Sequence, residues 1–546
     1  MGKSSAADVE VEQIEKRQDS AVKRHLKAFR DSIYHKPEKP TNMWHLLTNL
    51  TNTQRITFAA AFFGWTLDAF DFFSVSLTTA QIAKDFNVEP SEVTSAITTT
   101  LMLRPIGALI FGALADKYGR RWPLMADIVL YSLINMASGF APNLQTFIGL
   151  RAVFGIAMGG EWGLGASLAL ESLPIEARGL FSGIFQEGYA CGYLLATLVN
   201  YAIEETGSSW RILFWVGASF ALLAIVIRFW VPESEAFEKQ QEARRVIGRS
   251  LLKETWIVLK HHWLRLIYMV ILMAFMNFFS HGSQDLYPTF LTSQLGYTPT
   301  QKTVTSVIYN IGAICGGTII GYYSSYFGRK LCVAVCAILA GCFIPLWIYG
   351  PNIHALQFGA FTMQFFVQGA WGVIPAHINE LSPPAFRGLL PGLAYQLGNL
   401  ISAASSQIEA TIGERYPIRN ADGSYKLNAE GKQIADYGLT QAIFMGCVCG
   451  GLLITILVGK EERNKDFMEH LVEDARSGQA VTPDDVNASR IEQGMSSDGN
   501  GKSESDEKIH RFESMQEKMT LEHAESVQPA ETKQHEQHDS TGKNAE

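Results

Sequence analysis

The chain has 546 residues, of which 47% are hydrophobic and 18% are charged. Soluble domains carry about 25% charged residues, so this composition excludes an ordinary soluble protein and favours one that lies in a lipid bilayer. The net charge of −8 comes from the acidic segment after Lys460, so it does not indicate nucleic acid as a partner.

Twelve apolar segments lie between Ile56 and Gly459, and each has about 20 residues, enough to cross about 30 Å of hydrocarbon. We predict spans 1 to 6 at 57–77, 95–115, 122–142, 146–170, 179–203 and 210–231. Spans 7 to 12 follow at 264–290, 303–323, 330–350, 354–379, 388–409 and 438–459. This pattern predicts an all-α membrane protein with twelve transmembrane helices. The first apolar stretch begins beyond residue 55 and lacks a cleavage site, so no signal peptide is predicted.

Basic residues fall mainly in the loops that follow even-numbered spans, for example Lys117 and Arg120 after span 2 and Arg329 after span 8. The loops on the opposite side hold almost no Lys or Arg, except for the long 410–437 connection. The positive-inside rule then predicts that both termini face the cytoplasm.

Two polar tails flank the spans, at 1–55 and 460–546. The second is rich in Ser, Glu and Gln, a composition typical of disorder. Lys and Ser residues in both tails are candidates for regulatory modification, including ubiquitination that would recruit the endocytic machinery.

An internal repeat divides the membrane part into two halves. GALADKYGRR at 112–121 aligns with GYYSSYFGRK at 321–330, and ESLPIEARG at 171–179 aligns with ELSPPAFRG at 380–388, both at an offset of 209 residues. Two motifs that share one offset predict two homologous six-helix bundles. We place these bundles at 56–231 and 264–459, joined by a cytoplasmic loop at 232–263. Parallel repeats of this kind place a binding site between the halves near mid-membrane.

The repeated loops carry charges that suit a conformational latch, because they can pair on the cytoplasmic side in one state of the molecule. The candidates are Asp116, Arg120, Glu171, Arg178, Glu380 and Arg387. Alternatively, these charges determine topology or are solvated. Ser325 stands where the second half would repeat Asp116, so any latch is predicted to be asymmetric.

Ionisable side chains inside spans are costly and therefore indicate function. Asp68 and Asp71 lie in span 1, Arg104 in span 2 and Glu187 in span 5. A guanidinium at Arg104 can hold a carboxylate through two parallel hydrogen bonds. Its alternative is a salt bridge to Asp68 or Asp71, and Glu187 is either part of a proton pathway or an ion-pair partner.

Span 7 carries a polar stripe in the sequence NFFSHGSQDLYPT, at 277–289. Five side chains share one side of this helix at 100° per residue: Asn277, Ser280, His281, Gln284 and Asp285. Lipid cannot satisfy such groups, so the stripe is predicted to line a water-filled pathway; the alternative is a hydrogen-bonded clasp between helices. Asp285 and His281 can also carry a proton, with Asp68, Asp71 or Glu187 assisting.

Two further spans contribute candidates for the lining. Gln396 and Asn399 lie one turn apart in span 11 and share a helix face, where bonding between helices is the alternative role. Phe185 in span 5 is a further lining candidate. No cysteine pair or His/acid cluster indicates a disulfide framework or a metal site.

Several motifs resemble those of known transporters. The 112–121 loop, the glycine-spaced run from Arg151 to Gly160, and Pro232-Glu233-Ser234 resemble signatures of the major facilitator superfamily. In span 7, all seven fixed positions of Asn-x-x-[Ser/Thr]-His-x-[Ser/Thr]-Gln-Asp-x-x-x-Thr are matched. This string resembles the fungal Jen-type carboxylate/proton symporters, the lactate-permease group of the sialate:proton symporter family. Arg104, Gln396 and Asn399 also resemble transport residues of that group.

The resemblance implies proton-coupled import of short carboxylates such as lactate, pyruvate and acetate at the plasma membrane, with no cofactor beyond the proton gradient. Some members take succinate and malate, so a dicarboxylate substrate is the alternative; a single strong buried arginine tilts the prediction toward monocarboxylates. The predicted substrate-binding residues are Arg104, Asn277, Ser280, His281, Gln284, Gln396, Asn399 and Phe185.

Three other function classes are weighed against this one. A sugar or drug transporter has the same architecture, but Glu235-Ala236 lacks the arginine expected of sugar porters. A non-transporting nutrient sensor would signal through its tails. An enzyme is disfavoured because the sequence shows neither a nucleotide-binding loop nor a metal cluster.

Overall fold

The computed structural model describes residues 41–88, 90–229, 251–382, 389–420, 422, 424–427 and 433–463. The chain divides into two units. The first, Met1–Glu235 with Thr255–Lys465, contains the spans, whereas the second, Ala236–Glu254 with Asp466–Glu546, has only 251–254 described. Most of the predicted tails, most of the central loop and Arg387 therefore lie outside the described residues.

Helices cover all six predicted spans of the first half. A short helix, Met43–Thr48, precedes them. Span 1 is Asn52–Phe86, span 2 is Pro90–Tyr118, span 3 is Arg121–Ser138, span 4 is Leu144–Met158 with Glu161–Glu171, span 5 is Arg178–Glu205 and span 6 is Arg211–Phe229.

The second half repeats the arrangement. Span 7 is Leu251–Gln284, continued by a turn at Tyr287–Thr289 and a π-helical turn at Phe290–Gln294. Span 8 is Pro299–Phe327, span 9 is Arg329–Tyr349, span 10 is Ile353–Leu381, span 11 is Leu390–Ser402 with Ser405–Arg415, and span 12 is Tyr437–Val458. In the described part of the 416–436 connection, backbone pairing is limited to isolated bridges.

Seven helices in the described part of the chain are long and apolar enough to cross a membrane by length and composition alone, namely those of spans 1, 2, 4, 7, 8, 9 and 12. Span 6 contributes a shorter apolar helix, Arg211–Ala221. Spans 5 and 10 carry buried polar side chains, including Gln186, Glu187, Gln364 and Gln368, which lower their hydropathy.

Helix bounds differ from the apolar bounds because a helix continues wherever its backbone stays hydrogen-bonded. Span 1 begins five residues before its apolar stretch with a capping box, in which Thr51 caps the Gln54 backbone N–H and Gln54 caps that of Thr51. Span 8 begins in the same way at Thr298 and Gln301. Spans 4 and 11, predicted as single segments, are each broken into two helices, at Gly159–Gly160 and at Ala403–Ala404.

The two halves touch through small residues. A Cβ added at Gly321 in span 8 would lie 2.8 Å from Cα of Gly183 in span 5, and one at Gly392 in span 11 would lie 3.1 Å from Cα of Gly163 in span 4. Glycine permits this approach of one helix backbone to another. The Ser182 hydroxyl adds a hydrogen bond of 2.7 Å to the carbonyl of Gly372 in span 10. These contacts bring the facing surfaces of both halves around a shared interior.

Candidate functional site

The polar stripe of span 7 lies in the interior of the described molecule. Asn277, Ser280, His281 and Gln284 are 1–4% exposed, and the Asp285 side chain is 6% exposed. Their partners come from spans 10 and 11 of the same half. The structure thus brings together the five stripe residues with Gln396 and Asn399.

A chain of hydrogen bonds leads from this stripe to the first half. His281 Nε2 lies 3.3 Å from Asn399 Oδ1, and Asn399 Nδ2 donates to Gln396 Oε1 at 2.8 Å. Gln396 Nε2 in turn donates to the backbone carbonyl of Gly159 at 3.0 Å, at the break in span 4. Span 11 therefore links the span 7 histidine to the opposite half.

The direction of this chain fixes the histidine tautomer. A backbone carbonyl can only accept, so the Gln396 amide donates to Gly159, and the amide of Asn399 is oriented with its oxygen toward His281. Nε2 of His281 must then carry a proton. The other ring nitrogen, Nδ1, lies 3.0 Å from Asp285 Oδ2, so the imidazole and this carboxylate are placed to hold one further proton between them.

Span 10 supplies a residue that the sequence analysis missed. Gln364 is 2% exposed, accepts from Gln284 Nε2 at 2.7 Å and donates to Ser283 Oγ at 3.0 Å. Its signal in the sequence is the spacing of Gln357, Gln364 and Gln368, which places three amides near one side of an apolar helix.

Arg104 faces the same interior from span 2. Its Nη2 lies 3.7 Å from Asp68 Oδ2, and the two side chains are 4% and 1% exposed. The guanidinium carbon lies 5.2 Å from the centre of the Phe72 ring and Nη2 contacts the sulfur of Met158. Phe72 also meets the His281 ring edge-on at 6.2 Å, so Arg104 and the span 7 stripe flank one aromatic side chain.

Asp71 belongs to a different cluster, although it is only one turn from Asp68. It accepts a hydrogen bond of 2.7 Å from Asn135 in span 3. Asn135 and Ser138 accept from the Arg151 guanidinium at 2.7 and 2.8 Å, and Arg151 lies 4.0 Å from the centre of the Phe154 ring. The structure therefore places Asp71 in a buried network between spans 1, 3 and 4, away from the hydrogen bonds of span 7.

Glu187 lies where span 5 meets span 8. A Cβ at Gly317 would coincide with its carboxylate, since the Glu187 carboxyl carbon is 2.6 Å from that position. Neither carboxylate oxygen has a hydrogen-bond partner among the described residues. Among the described residues, no cationic side chain binds Glu187, so its alternative role as an ion-pair partner is not supported there.

An aromatic wall, formed by Trp65, Tyr189 and Tyr395, lies in the same interior. Trp65 lies 5.6 Å from Tyr189 and 6.4 Å from Tyr395, measured between ring centres. Phe185, the predicted lining residue, stacks on the same Trp65 at 6.5 Å and is fully buried. Three spans from both halves thus contribute to this wall.

The latch candidates form two ion pairs at equivalent positions of the repeat. Arg120 binds Glu171 at 2.9 Å, and Arg329 binds both carboxylate oxygens of Glu380 at 2.9 and 3.1 Å. Each acid thus pairs with an arginine of the preceding loop motif. In the second half, Arg329 also donates to Ser324 Oγ at 2.6 Å and to Ser325 Oγ at 3.3 Å. Arg178 and Asp116 are buried on the first side.

Comparisons with known proteins agree with this arrangement. Residues 56–472 match the family model described as sugar (and other) transporter. The chain is 34% identical to a carboxylic acid transporter protein homolog of Saccharomyces cerevisiae, over 75% of this chain and 68% of that protein. It is 27% identical to the sialic acid transporter NanX of Escherichia coli, over 74% of this chain and 94% of that protein.

Solved structures support the same fold. The chain superimposes on the major facilitator superfamily proton:xylose symporter XylE with a TM-score of 0.58 and 19% identity, covering 77% of this chain and 98% of XylE. It also matches the human organic anion transporter MFSD10 with a TM-score of 0.52 and 16% identity, covering 74% and 98% of the two chains.

Proposed function

Because the chain belongs to the sugar (and other) transporter family, within the major facilitator superfamily, we propose that it carries a short carboxylic acid together with a proton across the plasma membrane. Family membership confirms the predictions of an all-α multi-pass membrane transporter and of a transporter rather than an enzyme. Members of this superfamily need no cofactor.

One observation carries the proposal: a proton-holding pair and a buried arginine face the same interior between the two halves. His281 Nδ1 lies 3.0 Å from Asp285 Oδ2, where the two groups can hold a proton between them, and Arg104 lies beside the same Phe72 ring. A guanidinium is suited to a carboxylate, whereas a neutral sugar needs no buried cation. The similarity to a yeast carboxylic acid transporter homolog supports this choice of substrate class.

The loosely held Arg104 supports an exchange of partners. Its contact with Asp68, at 3.7 Å, is too long for a hydrogen bond, and its Nε has no hydrogen-bond partner in the described part of the chain. A substrate carboxylate would take the place of Asp68 on the guanidinium. Asn277, Gln284, Gln396 and Asn399 would then bond its hydroxyl or keto oxygens.

Proton binding makes the loaded site easier to reorient. With a monocarboxylate on Arg104 and a proton on the His281–Asp285 pair, the transported charges cancel. Moving an unpaired charge through the membrane interior is costly, so the fully loaded site reorients in preference to a half-loaded one. The two halves would rock about the site, with the termini on the cytoplasmic side.

Uptake of labelled lactate and succinate by cells that express the protein tests the proposal, at external pH 5 and pH 7.5. We expect faster lactate uptake at pH 5 and its loss on addition of a protonophore. Uptake that neither pH nor the protonophore affects would rule out proton coupling.

Substrate preference is tested separately by competition with acetate, lactate, pyruvate, succinate and malate. We propose that the monocarboxylates compete best, because Arg104 is the strong buried cation of the site. Stronger competition by succinate and malate would assign the protein to dicarboxylates instead. Failure of every carboxylate to compete, with uptake of another solute, would overturn the substrate class.

A further inference from the structure

Glu409 is a buried acid that the transport mechanism above does not use. It lies in the second helix of span 11, Ser405–Arg415, and is 0% exposed. Neither of its carboxylate oxygens has a hydrogen bond of ordinary geometry among the described residues. An acid sealed from water in this way needs an explanation, because burying a charged carboxylate without a partner is strongly unfavourable.

Its carboxyl group lies against span 7, beside the edge of the polar stripe. A Cβ added at Gly282 would lie 3.1 Å from Glu409 Oε1, so the absence of a side chain at Gly282 is what admits the carboxyl group. Gly282 directly follows His281 and lies one turn before Asp285. Glu409 therefore lies beside the turn of span 7 that carries His281 and Asp285.

The groups that face Glu409 are few. Asp285 of span 7 interacts with it electrostatically, and the Gln441 amide of span 12 lies close to it. Gln441 is also fully buried, and Phe444 of span 12 closes the same space against Gly282. In the described structure, the charged group facing Glu409 is thus another acid, which cannot stabilise a second negative charge.

Two neighbouring acids without a cation between them do not both ionise readily, because like charges in a medium of low dielectric constant repel strongly. His281 lies against Asp285 and stabilises the negative charge there. Glu409 has no such partner in the described part of the chain, so it is the member of the pair that keeps its proton.

We propose that Glu409 is a second proton-binding residue of the transport site, coupled to Asp285 across Gly282. This inference rests on the proposed function for its role in transport, but the protonation of Glu409 is a property of the protein alone. With Glu409 neutral, Asp285 can ionise against His281. Loss of the Glu409 proton at alkaline pH adds a negative charge beside Asp285 and weakens binding of a carboxylate substrate.

Glu409→Gln is the direct test, because glutamine keeps the size and neutrality of the protonated acid. Apparent affinity for lactate is measured at intervals from pH 5 to pH 7.5. We expect near wild-type affinity at pH 5 and a decline toward pH 7.5 that is at least about threefold smaller than in the wild type, since one linked proton has been removed. Glu414→Gln, an exposed position on the same helix, is the matched control and keeps the wild-type decline.

A second readout does not depend on transport. Infrared spectroscopy of the purified protein at neutral pH detects the C=O band of protonated carboxyl groups. We expect Glu409→Gln to lose one such band and Glu414→Gln to keep it. If Glu409→Gln does not reach the membrane, Gln441→Leu serves instead: it leaves the acid in a less polar environment and shifts the titration of the band to higher pH.

The outcomes separate the two proposals. A wild type that imports no carboxylate, with the band lost in Glu409→Gln, overturns the substrate but supports a protonated Glu409. A wild type with pH-dependent uptake, and a Glu409→Gln variant with unchanged pH dependence and an unchanged band, overturns the role of Glu409 alone. In the Gln441→Leu variant, a carboxyl band that titrates at the wild-type pH would likewise contradict the role of Glu409.

Discussion

At the level of single residues, Arg104 and Asp68 form a buried pair whose length leaves the guanidinium available to another anion. Their closest atoms are 3.7 Å apart, beyond hydrogen-bond distance. The cation also lies against Phe72 and the sulfur of Met158, which are weak partners for a full charge. A substrate carboxylate that forms two hydrogen bonds would be a stronger partner than the ring or the sulfur.

We therefore predict that Arg104→Gln lowers carboxylate uptake at least about tenfold, because a hydrogen bond to a charged group contributes about 1.5–3 kcal/mol. Arg104→Lys is expected to recover only part of it, since an ammonium lacks the planar fork of guanidinium. Uptake is measured against surface expression, with the exposed Arg415→Gln as control. Normal uptake by Arg104→Gln at normal surface expression would remove Arg104 from the site.

For Asp68→Asn we predict the opposite effect on substrate binding. If Asp68 competes with the substrate for Arg104, its neutral analogue should raise the apparent affinity for carboxylates severalfold while lowering thermal stability, because the buried guanidinium loses its counter-ion. Substrate affinity and the unfolding temperature of the purified variant are measured together. A lowered affinity would indicate that Asp68 helps to bind the substrate or its proton instead.

At the level of helices, span 5 and span 8 meet where Glu187 occupies the space left by Gly317. A methyl group at Gly317 would also lie 3.2 Å from the carbonyl oxygen of Gln368 in span 10. The contact joins the two halves, so we expect Gly317→Ala to reduce surface expression severalfold. Gly446→Ala in span 12, where nothing lies within 4 Å of the added Cβ, is the matched control.

The cause of that loss can be isolated with a double variant. Removing the carboxylate with Glu187→Ala should restore part of the expression of Gly317→Ala, because the two changes share one space and their effects are not additive. If the losses of expression in the two single variants simply add in the double variant, the methyl group at Gly317 acts through the backbone of span 10 rather than through Glu187.

Another contact between helices ties spans 1 and 6 at the ends opposite the latch. Arg211 donates to Asp85 at 2.6 Å, and Trp210 adds a bond of 3.2 Å. The hydrogen bond from Arg211 lowers the pKa of Asp85 below its ordinary 3.8. Because the pKa of Asp85 is lower in the folded state, its ionised carboxylate stabilises the folded protein at pH values above 3.8. This stabilisation is lost as the pH falls through the pKa of the folded state.

We expect Arg211→Gln to lower stability at neutral pH by no more than about 1 kcal/mol, because the pair is partly exposed and water screens it. The difference from the wild type should shrink as the pH falls below 3.8. Thermal unfolding of both proteins across that range measures it. A difference that stays constant with pH would assign the effect to the contact of Arg211 with the Trp210 ring.

The sequence predicted some parts of the site and not others, for physical reasons. The span 7 stripe was predictable because five polar side chains in an apolar helix can face only the interior. Asp68 and Asp71 look equivalent in the sequence, yet they pair with different helices, and this choice depends on tertiary packing. The spacing of Gln364 with Gln357 and Gln368 was a usable signal for span 10. Glu409 was missed because a single acid in an apolar segment has no periodicity, and the break in span 11 that orients it lacks a Pro or Gly.

At the level of the whole molecule, the two halves are joined at the ends that carry the loop motifs. The Thr41 backbone N–H donates to Tyr326 Oη of span 8 at 3.0 Å, and Tyr322 Oη donates to the Thr41 carbonyl at 2.7 Å. The Thr41 hydroxyl also reaches Glu176 of the first half at 3.4 Å. The segment before span 1 therefore contacts both halves on the side that we predict to be cytoplasmic.

The two ion pairs on that side differ in a way that makes a final prediction. The Arg329–Glu380 pair is bidentate and both side chains are 0% exposed, whereas the Arg120 and Glu171 side chains are 2% and 5% exposed. Removing one partner from a fully buried pair costs about 3–5 kcal/mol, because the other charge is left uncompensated. Glu380→Gln should therefore lower the unfolding temperature more than Glu171→Gln does, with the exposed Glu205→Gln as control. Equal losses would mean that the serines beside Arg329 compensate for the missing carboxylate, and a larger loss in Glu171→Gln would place the stronger clasp in the first half.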